Sequence, residues 1–345
     1  MAVGGPRPAP SVTAVVVAYG DDPWLERCVA SVLASEGVDL DLVVVDNGCT
    51  SGVVDRIEGW DGVTVLRPGR NLGFAGGCNA GAARAGGDVV ALLNQDATVA
   101  ADALAELAAV AAEPGIGAAT ASVRLADDPR LLNSAGNPVH VLGFSWAEGF
   151  GQEASGWAGP SAVASASGAA MAMRRDVWRA LGGFPDEYFA YGEDLELSIR
   201  CWQRKLEVRY VPSAVVVHRY EFSRNPRKLY LLERNRLISV LTLYQARTLA
   251  LLAPALLAAE VAMAAVAARQ GWFRQKAAGW GWAVRHRRWV TARRRAVQAA
   301  RLVPDRELRH LFTATLDPAM LALPAWVAPA NRLLASYWAA VSRAL

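Results

Sequence analysis

The fold is decided by residues 89–96, V-V-A-L-L-N-Q-D, an apolar run that ends in polar side chains. Such a run, rich in Val and Leu, predicts a strand that is covered on both faces. In an open parallel sheet, ligands bind beyond the carboxyl ends of the strands, so Asp96 is placed where a ligand would lie. Asn94 and Asp96 offer oxygen atoms that suit Mg²⁺ or Mn²⁺ carrying a diphosphate. Taken alone, N-Q-D is explained as well by an Asx turn, so the choice depends on the rest of the chain.

Earlier apolar runs alternate with segments that predict helices. The spacing of these elements is typical of βαβ units and predicts an α/β fold with a mainly parallel sheet. The predicted strands are residues 12–18, 40–45 and 63–66, and the predicted helices are residues 24–35 and 77–85.

Polar residues follow each of these strands. Because the carboxyl ends of parallel strands meet at one edge of a sheet, we expect a nucleotide to bind at this edge. Asp46 would accept a hydrogen bond from a base or ribose, and Arg70 would offer its fork of donors to a phosphate. The segment Asp46-Asn47-Gly48 alone would only turn the chain, but four polar strand ends favour a site. The candidate nucleotide contacts are Ala18, Tyr19, Asp46, Arg70, Asn71 and Gly76.

Two other classes of site are disfavoured. Gly73, Gly76 and Gly77 do not spell G-x-G-x-x-G, which argues against a dinucleotide-dependent oxidoreductase. The four cysteines include no C-x-x-C pair, which argues against a zinc site or a disulfide framework and fits a reducing cytosol. Residues 1–10 are rich in Gly and Pro and lack the apolar region of a signal peptide, so we expect a cytoplasmic location.

A second polar cluster follows a loop rich in Gly and aromatic residues. Glu193, Asp194 and Glu196 open a helix whose apolar face is formed by Leu195 and Ile199. The helix dipole favours acids in a first turn. Three acids within four residues exceed what this effect requires, so one of them is a candidate general base.

The C-terminal third has a different composition. Residues 249–268 are apolar apart from Glu260, and residues 271–301 are rich in Arg and Trp. Between Arg269 and Arg309, twelve Lys and Arg stand against two acids. Basic residues interleaved with Trp suit an anionic membrane surface, whereas apolar helices equally suit a helical domain packed on the core. Both interpretations stay open, and the apolar neighbours of the basic patch argue against nucleic-acid binding.

Seven stretches in order carry a resemblance to a known family: V-V-V-A-Y-G, V-V-V-D-N-G-C-T-S-G, R-N-L-G-F-A-G-G-C-N-A-G, L-L-N-Q-D-A, S-G-A-A-M-A-M-R-R, G-G-F-P-D-E-Y-F-A-Y-G-E-D-L-E-L-S-I-R and V-V-V-H-R. Over residues 11–236 the chain resembles the inverting nucleotide-sugar glycosyltransferases of family 2, which include rhamnosyl- and galactofuranosyltransferases. The resemblance implies a GT-A fold, in which a Rossmann-like sheet is flanked by helices.

The resemblance also implies residue roles. Asp46 would contact the nucleotide base, Asp96 would bind the metal, and Asp194, preceded by Glu193, would be the catalytic base. His218 falls on a position that contacts metal or diphosphate. The residues expected near the diphosphate are Asn94, Gln95 and Arg224, with Arg227 or Arg234 as further sources of positive charge.

Three departures from the family pattern stand out. Asn94 replaces the first acid of D-x-D, and Glu196 stands where E-D-x-D-L has Asp. Arg285 replaces the Gln of the Q-x-x-R-W motif of processive members, so we expect the addition of one or few sugars.

The implied activity is a metal-dependent, inverting transfer from a UDP- or dTDP-sugar, rhamnose-like or another hexose, to a lipid-linked or cell-envelope glycan. The expected domains are a flexible tail at 1–10, a GT-A domain at 11–240, and a helical region at 241–345. We expect this helical region to hold the enzyme peripherally on the anionic inner face of the cell membrane. Two alternatives remain: a non-catalytic scaffold that binds glycan or membrane, and a nucleotidyltransferase.

Overall fold

The computed structural model describes residues 9–220, 227–321 and 323–345. The strands are β1 Ser11–Gly20, β2 Asp39–Cys49, β3 Val63–Leu66, β4 Val89–Asn94, β5 Ala97–Val99, β6 Ile116–Leu125, β7 Leu132–Ser134, β8 Val139–His140, β9 Ser161–Ala162, β10 Ala170–Arg174, β11 Glu207–His218 and β12 Phe312–Thr313. The helices are α1 Leu25–Leu33, α2 Val53–Ile57, α3 Gly73–Ala82, α4 Ala103–Ala111, α5 Arg175–Leu181, α6 Glu193–Gln203, α7 Lys228–Leu243, α8 Ala246–Arg269, α9 Phe273–Arg285, α10 Arg287–Ala299, α11 Asp305–Leu308 and α12 Val327–Ala344.

A mixed sheet organises the described part of the chain. It has ten strands, eight of them in the order β3-β2-β1-β4-β10-β6-β11-β5, with β7 and β9 paired at its margins. The long ladders of β1 with β2 and β4, and of β6 with β11, are parallel. Strand β10 runs antiparallel between β4 and β6. The predicted mainly parallel sheet is therefore present, with β10 as an antiparallel strand near its centre.

Each face of the central strands is covered by its own apolar core. Val16 and Leu93 face the core that contains helices α1 and α4, whereas Val15 and Leu92 face the core that contains α3 and α6. Because both faces are dry, β1 and β4 consist of continuous apolar runs rather than alternating ones. The carboxyl ends of the strands remain as the open edge where polar side chains can gather.

Glycines allow helix α3 to pack unusually close to the sheet. A Cβ atom at Gly77 would lie 2.7 Å from Val17 Cγ1, and one at Gly81 would lie 2.3 Å from Val15 Cγ1. Helix α3 begins at Gly73, four residues before the predicted start. The glycines of this stretch therefore serve close packing of the helix on the sheet.

Residues 126–160, which lack helical or strand periodicity in the sequence, contain strands β7 and β8. Strand β7 pairs with β6, which inserts this segment beside the carboxyl end of the sheet. Strand β8 pairs in parallel with β12, so the same segment also joins the C-terminal region.

Helix α6 is tied to the C-terminal region by a buried carboxylate. Glu196 is fully buried, and its two oxygens lie 2.6 Å from Arg200 Nη2 and 2.6 Å from Arg293 Nη2. Arg293 belongs to α10, so a helix beyond residue 240 supplies a cation to the helix that begins with Glu193. The departure from the family pattern at Glu196 thus coincides with an internal ion pair. The proposed domain boundary at residue 240 falls inside α7.

We expect Glu196→Gln to lower the free energy of unfolding by about 3 to 5 kcal/mol, because it leaves two poorly solvated guanidinium groups without their carboxylate. The control is Glu26→Gln, which breaks the exposed Arg56–Glu26 pair and should cost less than about 1 kcal/mol. Denaturant unfolding of both variants measures the difference. Equal losses in the two variants would contradict a structural role for the buried pair.

Candidate active site

Asp96 and His218 meet at the edge of the sheet because β5 pairs antiparallel with β11. The pairing aligns Ala97 with His218, and the Arg219 N–H donates to the Asp96 carbonyl at 2.9 Å. His218 Nε2 consequently lies 3.2 Å from Asp96 Oδ1. Both side chains are largely buried, with exposed fractions of 9% and 13%. Two residues that are distant in the chain thus form one site.

Two asparagines fix the orientation of the His218 ring. Asn133 Oδ1 lies 2.8 Å from His218 Nδ1 and can only accept, so Nδ1 carries the proton. His218 Nε2 lies 3.2 Å from Asn94 Nδ2. With Nδ1 bound to Asn133, Nε2 is the ring nitrogen that faces the carboxylate of Asp96, which is the arrangement of a histidine that binds a metal.

The chemistry of this pair fits a divalent cation. A carboxylate and an imidazole are both ligands of Mn²⁺, and Mg²⁺ prefers the carboxylate. Among the residues that the structure describes, no three His, Cys, Asp or Glu side chains gather as a ready-made metal cluster. Asp96 and His218 would therefore supply part of the coordination, and a diphosphate and water would supply the rest. Asn94 contributes no charge and instead supports His218.

Tyr19 is held at the same edge by Gln95. Gln95 Oε1 accepts from the Tyr19 N–H at 2.7 Å, and Gln95 Nε2 donates to the Tyr19 carbonyl at 2.9 Å. The Tyr19 ring is 57% exposed, so it can contact a nucleotide. The neighbouring Ala18 is fully buried, and its methyl group packs in the core. Gln95 thus holds the backbone of Tyr19 at the carboxyl end of β1.

Asp46 stabilises a turn with one carboxylate oxygen and faces an arginine with the other. Its Oδ1 accepts from the N–H groups of Gly48 at 3.3 Å and Cys49 at 3.0 Å. Its Oδ2 lies 3.7 Å from Arg67 Nε, a residue that the sequence analysis did not single out. Arg70 is exposed at the end of β3. Asp46 therefore forms the turn that the sequence also allowed. Its contact with a nucleotide base stays a prediction.

Asn71 and Gly76 shape the start of helix α3. Asn71 Oδ1 accepts from the Gly73 N–H at 2.8 Å and from Asn47 Nδ2 at 3.1 Å. Gly76 is buried, and a Cβ atom there would lie 2.9 Å from Leu72 Cβ. These contacts are internal, and a nucleotide contact at either residue stays a prediction.

The two acids that begin α6 occupy different environments. Glu193 is 5% exposed and its Oε2 has no hydrogen-bond partner among the residues that the structure describes, whereas Asp194 is only partly buried. Asp194 Oδ2 accepts from the Gly168 N–H at 2.9 Å, and its Oδ1 accepts from its neighbour Leu195 at 2.8 Å. Gly168 leaves room for this carboxylate, since a Cβ there would lie 3.3 Å from Asp194 Oδ2. Asp194 is therefore both positioned and accessible.

Burial makes both carboxyl groups weaker acids. Desolvation, with a contribution from the charge of Asp194, raises the pKa of Glu193 to about 8. Desolvation also raises the pKa of Asp194, although the two backbone N–H groups oppose the shift. The backbone N–H groups stabilise the charged form of Asp194, whereas Glu193 is more deeply buried, so a proton on the pair is favoured on Glu193. A raised pKa makes Asp194 a stronger base than an ordinary aspartate.

The loop that precedes α6 is held from α7. Phe189 and Tyr191 adopt positive φ angles of 64° and 71°. Asn235 Nδ2 donates to the carbonyls of Tyr188, Ala190 and Tyr191 at 2.7–2.9 Å. These three bonds stabilise a backbone shape that the loop sequence alone does not favour.

Arg234 also supports this loop. Arg234 Nη2 donates to the carbonyls of Glu187 and Tyr188 at 2.6 and 2.7 Å, and the residue is 5% exposed. The donors of Arg234 are therefore used inside the protein, and its contribution of positive charge at a diphosphate stays a prediction. Arg224 lies outside the described residues.

Sequence reasoning missed several residues of the site. Asn133 lies in a segment without periodicity, so no pattern marks it as the partner of His218. Arg67 and Asn235 act across long sequence separations, and Arg234 was singled out for a different role. Lys228 lies over the rings of Tyr191 and Tyr220 at 5.4 and 5.6 Å. An Arg-Asn pair inside an apolar helix was the one signal that could have drawn attention to residues 234–235.

The chain matches a model of a known protein family. The model of the glycosyltransferase-like family 2 matches residues 8–239. Among characterised proteins, the chain is similar to the N-acetylglucosaminyl-diphospho-decaprenol L-rhamnosyltransferase of Mycobacterium tuberculosis. The two are 29% identical over 233 residues, which cover 59% of this chain and 74% of the rhamnosyltransferase.

Solved structures share the fold. A mannosyltransferase from Pyrobaculum calidifontis, solved with GDP-Man and Mn²⁺, superposes with a TM-score of 0.51 and 20% identity over 97% of this chain and 86% of its own. GalNAc-T7, solved with UDP, GalNAc and Mn²⁺, gives a TM-score of 0.58 and 17% identity over 71% of this chain and 51% of its own. These similarities confirm the predicted GT-A architecture.

We expect Glu193→Gln to stabilise the protein in a pH-dependent way. The folded-state pKa of about 8 lies above the ordinary value of 4.5, so the unfolded chain releases this proton before the folded protein does. The wild type therefore loses stability as pH rises from about 4.5 to about 8, and the glutamine has no proton to lose. Melting temperatures across this range should diverge in favour of the variant and become parallel above pH 8.

The control for this experiment is Glu36→Gln, which changes an exposed carboxylate. Its difference from the wild type should not grow with pH. A melting temperature of Glu193→Gln that follows the wild type at every pH would show that Glu193 is ionised in the folded protein.

Proposed function

This chain belongs to the glycosyltransferase-like family 2, and from that premise we propose that it transfers a sugar from a UDP- or dTDP-sugar to a lipid-linked or cell-envelope glycan. A rhamnose-like donor is the first candidate, because the mycobacterial relative is named as an L-rhamnosyltransferase. The name of that relative also describes a lipid-diphosphate acceptor, which supports the same acceptor class here. We place the reaction on the cytoplasmic face of the cell membrane.

The observation that carries this proposal is a short backbone connection between the two polar clusters. The Asn94 N–H donates to the Ala169 carbonyl at 3.0 Å, and the Gly168 N–H donates to Asp194 at 2.9 Å. The carboxylate of Asp194 is therefore anchored to the strand end that continues into Asp96. A base next to a site for a diphosphate is what a single displacement at the anomeric carbon requires.

Asp194 acts as general base in this mechanism. Its carboxylate takes the proton of an acceptor hydroxyl while the hydroxyl oxygen attacks the anomeric carbon. The new C–O bond forms on the face opposite the nucleoside diphosphate, which leaves with the electron pair of the broken bond, so the configuration inverts. Glu193 keeps its proton and leaves Asp194 as the single carboxylate that faces the acceptor.

Asp96 and His218 hold the diphosphate side of the site in this proposal. They would bind Mg²⁺ or Mn²⁺, which when bound supplies Lewis-acid stabilisation for the leaving diphosphate. Gln95 keeps Tyr19 at the nucleotide edge through the two backbone hydrogen bonds. Asp46 presents the carboxylate for the base or ribose.

Asp194→Asn should lower the rate of sugar transfer by a factor of about 10² to 10⁴, because the amide keeps the shape and loses the proton affinity. Donor affinity should be unchanged, since Asp194 faces the acceptor. The measurement is release of UDP or dTDP from candidate donors in the presence of acceptor, with donor binding measured separately.

Glu193→Gln is the control for Asp194→Asn and should retain transfer, since a neutral side chain already occupies that position. Full activity of Asp194→Asn, or loss of activity only in Glu193→Gln, would reject the assignment of the base. Absence of nucleotide release from every UDP- and dTDP-sugar would reject the proposed activity as a whole.

Asp96→Ala should abolish the dependence of nucleotide binding on metal while the fold stays intact. The wild type should bind UDP or dTDP at least tenfold more tightly with Mn²⁺ than with EDTA, and the variant should bind equally weakly in both. Isothermal titration gives these affinities, and the melting temperature checks the fold. Nucleotide binding by the wild type that ignores EDTA would contradict the metal site.

A further inference from the structure

Helix α8 has its apolar side outward and its acid inward. Its exposed residues between Arg247 and Arg269 recur every three or four positions and are all apolar: Ala250, Pro254, Leu257, Ala258, Val261, Ala265 and Ala268. The exposed fractions of Leu257 and Val261 are 68% and 71%. This stripe, which we name the α8 face, runs for about 27 Å at the usual helical rise. A surface helix of a soluble protein normally shows the opposite pattern.

Charged contacts on the inner side fix the rotation of α8. Glu260 pairs with Arg236, lies 2.7 Å from Lys276 Nζ, and accepts a hydrogen bond from Trp280 Nε1 at 2.6 Å. Burial would raise the pKa of Glu260, but Arg236 and the hydrogen-bonded neighbours outweigh it and lower that pKa to about 2. The helix cannot turn its apolar stripe inward without removing this carboxylate from its partners.

The apolar surface extends beyond α8. Nine of the ten large apolar side chains that are exposed in the described residues lie between Leu257 and Leu333. Trp326, 51% exposed, immediately precedes α12, and Leu333 on α12 is 75% exposed. Helix α12 packs on α8 through Tyr337, whose hydroxyl donates to the Leu251 carbonyl. Exposed apolar surface of this extent usually marks a contact with a partner or a membrane.

The charges around this surface select an anionic occupant. Residues 246–345 contain fifteen Lys and Arg against four Asp and Glu. Arg247 and Arg269 stand at the two ends of the α8 face, and Arg274, Arg285 and Arg288 are exposed on the next helices. A second copy of this chain would bring the same positive charges against them. An anionic bilayer would neutralise them and cover the apolar stripe.

We propose that the α8 face, with Trp326 and Leu333, lies in the boundary between headgroups and acyl chains of an anionic membrane. Helix α8 is long and apolar enough to cross a membrane. Its most apolar 18 residues have a mean hydropathy of 2.1, and 6% of them are buried. The contacts of Glu260 with α7 and α9 instead keep it on the protein surface, parallel to the membrane plane.

This assignment differs from the sequence-based expectation that the basic, Trp-rich segment itself contacts the membrane. Several tryptophans of that segment are used inside the protein. Arg234 lies over the Trp282 ring at 4.9 Å, Trp282 stacks on His286 at 4.1 Å, and Trp280 bonds to Glu260. The exposed arginines remain available to headgroups, while α8 supplies the apolar contact.

The segment that leads to Trp326 of the proposed membrane surface contacts the active site. The Tyr220 hydroxyl donates to Met320 Sδ at 3.5 Å, and the Tyr220 ring lies 6.3 Å from the ring of His218. The exposed residues Leu321 and Leu323 follow Met320 directly. A lipid-linked acceptor held in the bilayer would therefore reach the site from its own membrane. This last point rests on the proposed function, whereas the membrane contact does not.

The test is co-sedimentation of the full chain with vesicles of phosphatidylcholine alone or with one-third phosphatidylglycerol. The wild type should bind the anionic vesicles, and the double variant Leu257→Asp/Val261→Asp should reduce the bound fraction at least tenfold. The matched control is Leu302→Asp, which changes an equally exposed leucine, 66%, outside the proposed surface and should bind as the wild type does. Melting temperatures and nucleotide binding should be unchanged in all three proteins.

Two outcomes would overturn the proposal: binding of the double variant at the wild-type level, or absence of wild-type binding to anionic vesicles. A wild-type dimer on gel filtration that the double variant dissociates would identify the face as a contact between copies and would overturn it as well. Transfer to a short-chain, water-soluble acceptor separates the two proposals. If the double variant loses vesicle binding but still transfers sugar to the soluble acceptor, the membrane surface is supported. If none of the proteins transfers sugar, the proposed function is rejected and the membrane surface is not.

Discussion

A carboxylate that is removed from water must keep a cation beside it, and this constraint makes the C-terminal third part of the catalytic unit. Glu196 is buried between Arg200 and Arg293, and Glu233 is buried between Arg236 and Lys276. In each case a helix beyond residue 240 supplies one of the cations. The sheet and the helices that follow it are therefore joined by charge as well as by apolar packing.

The sequence identifies the strands and their polar ends because those features are local. Continuous apolar runs such as residues 89–93 predict strands buried on both faces, and the end of such a strand faces the ligand edge. The antiparallel direction of β10 and the pairing of β5 with β11 depend on contacts between distant segments. The pairing of β5 with β11 places Asp96 beside His218. Local patterns in the sequence mark Asp96 as a candidate, but only the family resemblance indicated that Asp96 and His218 act at the same site.

The supporting residues of the site could not be predicted for a related reason. Asn133 and Asn235 act through hydrogen bonds across 85 residues and about 45 residues of chain, and no local pattern reveals such partners. Glu196 shows the opposite case, since a departure from a family motif attracted attention and is used for internal packing. A polar residue in the sequence shows where polar chemistry is possible. The residues that it contacts in the folded protein determine whether it stabilises the fold or binds the substrate.

The anchoring of Asp194 to the main chain has a consequence for how this scaffold can diversify. Its carboxylate is held by the Gly168 and Leu195 N–H groups, and the adjoining Ala169 carbonyl is held by the Asn94 N–H. In the proposed mechanism, backbone hydrogen bonds therefore set the distance between the proton acceptor and the leaving group. Side-chain substitutions leave these backbone groups in place. Exchange of pocket side chains can change which sugar is accepted, while the stereochemical outcome is inherited with the backbone.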